Sequence, residues 1–123
     1  MRVREGVVVL KDIASTEKQI KRTKLYRNVR RSLIDQLERS GNDTPHFLDL
    51  VEDYMKNWIV KELAYRDIQE RGTSVDYRNS ETQYGTKKND NVDILLKAEQ
   101  QMIKILEMLN IKPDMGVDVD EEL

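Results

Sequence analysis

Seven cationic side chains fall between residues 18 and 31: Lys18, Lys21, Arg22, Lys24, Arg27, Arg30 and Arg31, with no acidic residue among them. Guanidinium and ammonium groups at this density suit one chemistry above others, the neutralisation of a phosphate backbone with release of its counterions. At about 100° per residue, Lys21, Lys24, Arg27 and Arg31 share one stripe of a helix. A charge run can equally be a solvated helix surface, but such surfaces usually carry acids at i,i+4 spacing, and none lies inside this run. Lys87 and Lys88 form a second, smaller basic pair, read as part of a turn before a helix.

Other chemistries find little support. The chain has one histidine, His46, and no cysteine, so thiolate metal sites, disulfides and a Ser/His/Asp arrangement are all disfavoured. Glu52 and Asp53 are neighbours pointing about 100° apart on a helix, which suits ligation poorly. The carboxylates Asp118, Asp120, Glu121 and Glu122 lack the turn glycine of a calcium loop. Five scattered glycines make no phosphate cradle. No cofactor and no enzymatic activity are expected.

Charge is polarised along the chain. Residues 1–40 carry 11 Lys and Arg against 5 Asp and Glu, whereas the remainder carries 10 against 18. The last ten residues hold five carboxylates and no base. Two different partners at the two ends are implied. No apolar run reaches the ~18 residues needed to span a bilayer. The run Val7–Leu10 after Arg2 and Arg4 is too short for a signal peptide, so a cytoplasmic protein without membrane contact is expected.

The elements that must position these groups are mainly helical. Residues 1–14 read as a flexible arm, or as a strand added to a hairpin or a neighbouring subunit. A basic helix occupies about 15–40, capped at Ser15 or Thr16 and closed by Gly41, with Leu25, Tyr26, Val29, Leu33 and Leu37 inward. A core from 44 to 113 follows. Its first helix opens at Thr44-Pro45, buries Phe47, Val51, Tyr54, Met55, Trp58, Ile59 and Tyr65, and stops at Arg71-Gly72. A small hairpin pairs 73–77 with 82–84, Tyr84 being a cross-strand partner for Val75 or Tyr77. The last helix runs from about 89–91 to Leu109. Val92, Leu95, Leu96, Met102, Ile103, Leu106 and Leu109 face one way, and Ile94, Ala98, Ile105 and Met108 widen the apolar arc. A helix so apolar on more than one side implies two neighbours, one being a second chain. Tyr77, Tyr84, Ile94, Leu95, Ala98, Met102, Ile105, Met108 and Leu109 are therefore the candidate oligomerisation residues. Residues 114–123 read as an acidic disordered tail. A helix-turn-helix is not supported, because the two long helices have the basic residues on the first.

The words Lys88-Asn89, Ala98-Glu99-Gln100-Gln101-Met102-Ile103 and Leu106-Glu107-Met108-Leu109-Asn110-Ile111-Lys112-Pro113 resemble the C-terminal half of phage terminase small subunits. The resemblance spans about Tyr54 to Pro113. That family commonly has Asn-Pro where this chain has Asn89-Asp90. The resemblance implies a non-enzymatic protein of a bacteriophage or prophage, in the cytoplasm of the bacterial host. It implies an oligomeric ring that binds double-stranded viral DNA at the packaging start site. DNA would then pass to a large subunit with ATPase and nuclease activity, contacted through the acidic tail 114–123. An alternative reading is a small oligomeric DNA-binding regulator from a mobile element, and another is a structural adaptor whose basic stripe meets protein.

Overall fold

The computed structural model describes residues 13–111. Of the arm read at residues 1–14, residues 1–12 lie outside the described residues and 13–14 are helical; the acidic tail 114–123 also lies outside. Residues 13–22 are helical (α1), followed by α2 (Lys24–Arg39), α3 (Pro45–Arg71), β1 (Ser74–Arg78), β2 (Tyr84–Lys88) and α4 (Asp90–Met108).

The expected single basic helix is two. Thr23 breaks it with an extended ψ of 149° and caps α2, its Oγ1 accepting from the Tyr26 N–H at 3.2 Å. The same hydroxyl donates to the Ile20 carbonyl at 2.8 Å. A threonine hydroxyl competes with the helix for backbone groups in this way, which makes it a good cap and a weak interior residue. Ser15 and Thr16 lie inside α1 rather than capping it. Ile20, just before the break, is buried in the core. Leu25 is 61% exposed and not inward, because one residue from Tyr26 is a 100° turn away from the buried line Tyr26, Leu33, Leu37.

Helix ends follow the sequence closely. Gly41 adopts φ 76°, the Asn42 N–H donates to the Leu37 carbonyl at 2.8 Å, and the Gly41 N–H to Glu38 at 3.2 Å. This is the paired closing motif that a left-handed residue permits. At the end of α4, Asn110 (φ 57°) plays the same part, with Ile111 donating to Leu106 at 3.0 Å. Thr44 stands at the start of α3, but its hydroxyl makes no capping bond; Pro45 at the first helical position removes one N–H that would need satisfying.

The hairpin is shifted from its expected place. Its register pairs Val75 with Lys87, Tyr77 with Gly85 and Arg78 with Tyr84, and the Asn79 N–H closes the tip onto the Gln83 carbonyl at 2.7 Å. Lys87 and Lys88 are strand residues, not a turn. Gly85 rather than Tyr84 faces Tyr77, and a Cβ there would sit 3.4 Å from the tyrosine ring. That is ordinary van der Waals contact, so the ring lies across the partner strand beside Gly85 without requiring glycine there.

α3 and α4 form an antiparallel helical pair, with Tyr65 and Leu95 bordering one cavity at one end and Tyr54 and Leu106 bordering another at the other. α2 packs on the N-terminal half of α3. Ile20, Tyr26, Leu33, Leu37, Val51, Met55, Ile59, Ile105 and Leu109 make the common core. Along α4 the buried line is Ala98, Met102, Ile105 and Leu109; Leu96 and Ile103, expected inside, are exposed. α3 is long enough to carry the antiparallel pair and still present its first half to α2, so the core draws on a narrower line of α4 than its composition suggested.

Candidate nucleic-acid interface

Lys24, Arg27 and Arg31 succeed one another at i, i+3 and i+7 along α2, and all three are exposed. With Asn28 and Arg30 they line an open cleft of about 490 Å3. The pattern follows from the amphipathic order of the helix: one line is consumed by the core, and the opposite line is cationic.

Arg30 differs from its neighbours. It turns toward α3 and donates to Glu52 through Nη2 at 2.6 Å and Nε at 3.1 Å. The hydrogen bond to that carboxylate raises the guanidinium pKa, and burial opposes the shift. Both side chains keep 42% of their surface, and pairs this wet contribute about 0.2–1 kcal/mol. Burying Leu33 or Leu37 contributes about 1.5–3 kcal/mol each, so apolar packing, more than the ion pair, holds α2 on α3 and decides which face turns inward. Glu52 carries no local signal of this role in the sequence; its partner is 22 residues away.

Acids just outside the basic run do pair with it. Glu17 lies 3.4 Å from Lys21 and Asp35 3.9 Å from Arg31, both at i,i+4. These exposed pairs are weak enough for a phosphate to displace them. Lys18, Lys21 and Arg22 stand on α1, across the Thr23 break from the cleft. Lys87 and Lys88 are not brought to it. About 30 Å of α3 separates Glu52 from the strand pair, and Lys88 is bound to Asp93 at 2.7 Å.

A second cluster, at the base of the hairpin, joins residues that the sequence marked only as helix boundaries, Arg71, Gly72 and Asn89, to Asp67, which it did not mark. Asn89 is fully buried, and its amide donates to Asp67 and to the Gly72 carbonyl, each at 2.9 Å. Its own oxygen caps α4 by accepting from the Asn91 N–H at 2.9 Å. Asp67 also takes Arg71 at 2.8 Å and the Asn91 amide at 2.8 Å. These donors, Arg71 first, hold the Asp67 carboxyl far below the usual range against the opposing effect of burial. The visible signal was an asparagine immediately before a helix, a preferred cap. Its long-range partners left none. Among the described residues no three His, Asp or Glu side chains converge as a metal set.

Of the candidate oligomerisation residues, Ala98, Met102, Ile105 and Leu109 are buried within the protomer itself. Leu95 is half-buried, and Tyr77, Tyr84, Ile94 and Met108 are exposed. Arg78 lies 5.4 Å over the exposed Tyr84 ring. No helix among the described residues is long and apolar enough to cross a membrane.

A family model described as "Phage terminase, small subunit" matches residues 27–116, a span that takes in Arg27, Arg30 and Arg31 of the α2 cleft but not Lys24, together with the Asn89 junction and the whole helical pair. No curated protein and no solved structure matches the chain.

Proposed function

Because the chain belongs to the phage terminase small subunits, a family with a role in packaging phage DNA, we propose that it binds double-stranded viral DNA through the α2 cleft, self-associates, and hands the DNA to the large subunit. The observation that carries this reading is the cleft itself: Lys24, Arg27 and Arg31 line it with few intrinsic partners, on a helix anchored by its other side. Three cations on one face give affinity without reading base edges. Self-association then multiplies that affinity, since copies joined together present several such helices to one duplex. Arg30, in the cleft but paired with Glu52, and Lys18, Lys21 and Arg22 on α1 would add supporting contacts. Lys87 and Lys88 would meet a separate stretch of the duplex. The acidic tail 114–123 would meet the large subunit.

The test is duplex binding across a salt series. We expect affinity to fall steeply with salt, and the variant Lys24→Glu, Arg27→Glu, Arg31→Glu to lose binding while keeping its helical circular dichroism. A folded variant that still binds duplex DNA at the wild-type level would show that the cleft is not the contact surface.

A further inference from the structure

The α3–α4 pair has two unlike apolar flanks. On one side Tyr54, Tyr65, Leu95, Glu99, Ile103 and Leu106 border two adjoining cavities of about 310 and 220 Å3 that share Lys61 and Glu99. On the other side of the buried line, helical spacing places Ile94, Gln101 and Met108 in one stripe. The two flanks are of similar reach: 14 residues of stripe span about 21 Å and 11 residues of groove about 16 Å. Ile103 is 59% exposed and Met108 55%, large for apolar side chains.

Charge separates the flanks further. The groove carries Glu62 and Glu99, and its one lysine, Lys61, is drawn over the Trp58 ring at 4.5 Å. The stripe is edged by Lys97 and Lys104, three residues after Ile94 and four before Met108, with Asp90 one turn before Ile94 at its start, so its balance is positive. None of Glu62, Glu99, Lys97 and Lys104 has an ion-pair partner among the described residues.

We infer that the groove of one copy receives the Ile94–Met108 stripe of the next, a head-to-tail contact in which Lys97 and Lys104 meet Glu62 and Glu99. A two-fold pairing of groove with groove would set the acids of both copies against each other and leave the stripe in water. Stripe against stripe would do the same with lysines. Unlike, opposite-signed flanks on one helical pair favour the heterologous arrangement, which propagates until it closes. The inference rests on the self-association proposed above and names its surfaces.

The test uses the full chain and two variants, Ile103→Asp in the groove and Met108→Asp in the stripe, sized by native mass spectrometry. Each alone should lose assembly. Mixed one to one, they should form a heterodimer and nothing larger, because only one intact groove and one intact stripe can meet. A second set guards against misfolding: reversing Glu62 and Glu99 to Lys, or Lys97 and Lys104 to Glu, should weaken assembly at least tenfold, and reversing all four should restore it. An assembly that survives both aspartate variants, or a mixture that stays monomeric, overturns the head-to-tail contact alone. A monomeric wild-type chain overturns the self-association on which it rests.

Discussion

Asn89 reaches across 22 residues of sequence to donate its side-chain amide to Asp67 at 2.9 Å, and no part of it touches solvent. The same side chain holds the carbonyl of Gly72, which closes α3, and the free N–H of Asn91 in the first turn of α4. One residue thus fixes where α3 ends, how the strands leave it and where α4 begins.

Replacing Asn89 with Ala should therefore be costly. It removes the amide that satisfies the half-buried Gly72 carbonyl and one of the donors to Asp67, which keeps its bonds to Arg71 and Asn91, and it removes the cap of α4. A buried polar group left unsatisfied costs about 1–3 kcal/mol, and a cap about 1 kcal/mol. Urea unfolding should show a loss of about 2–4 kcal/mol. Asn89→Asp keeps the cap oxygen but loses the amide donor and sets a second carboxylate against Asp67, so it should be no better than Ala.

Asp67 gives the junction a pH dependence. Its folded pKa lies below the unfolded value, so its contribution is present above about pH 4 and is lost as pH falls through the folded value. At pH 7 Asp67→Asn should be less stable than the wild type by about 2 kcal/mol, the worth of a charge-assisted hydrogen bond. Thermal melts from pH 7 down to pH 2 should show the gap constant to about pH 4 and then narrowing, because the unfolded chain takes up the proton there while the folded carboxyl stays ionised. A gap that stays constant over this range would mean that Asp67 is not held ionised by Arg71 and its amide donors.

Gly72 closes α3 with φ 87° and ψ −176°, a combination open in practice only to glycine. A Cβ there would meet nothing nearer than the Ser74 carbonyl at 4.0 Å, so crowding is not the issue. Backbone strain alone should make Gly72→Ala less stable by about 1–3 kcal/mol in urea unfolding. The strands leave α3 through this residue, so the variant should also loosen the Asn89 bond to its carbonyl.

What was legible in the sequence was what short-range chemistry decides. Thr44-Pro45, Gly41 and Gly72 marked helix ends correctly because each acts through its own φ or its own missing N–H. The helix–hairpin–helix order, and the mainly helical class, followed from the same punctuation. The misses share a cause. Thr23 could continue a helix or break one, and the choice fell to Ile20, which the break lets into the core. Ile103 and Ile105 are equally apolar, and only the position of α3 decides that the second is inside. Arg30 looked like its neighbours until Glu52 claimed it, and that pairing depends on where α2 lands on α3.

Arg30 and Arg27 should for this reason behave differently toward DNA. Both are arginines of α2 three residues apart, but Arg27 is free to meet a phosphate and Arg30 must first leave Glu52. Removing one cation from a phosphate lowers the slope of log affinity against log salt by about 0.9 on duplex DNA. Arg27→Gln should lower it by about that much with little change in stability. Arg30→Gln should lower it by much less and should destabilise the fold slightly, by up to about 1 kcal/mol, the range of an exposed pair. Glu52→Gln provides the converse: it frees Arg30, so duplex affinity should rise at low salt and its salt dependence should steepen. Filter binding or fluorescence anisotropy on one duplex from about 50 to about 300 mM salt, where such electrostatic terms dominate, would read all three slopes. Equal slopes for Arg27→Gln and Arg30→Gln would show that the Glu52 pair does not withhold Arg30 from the duplex.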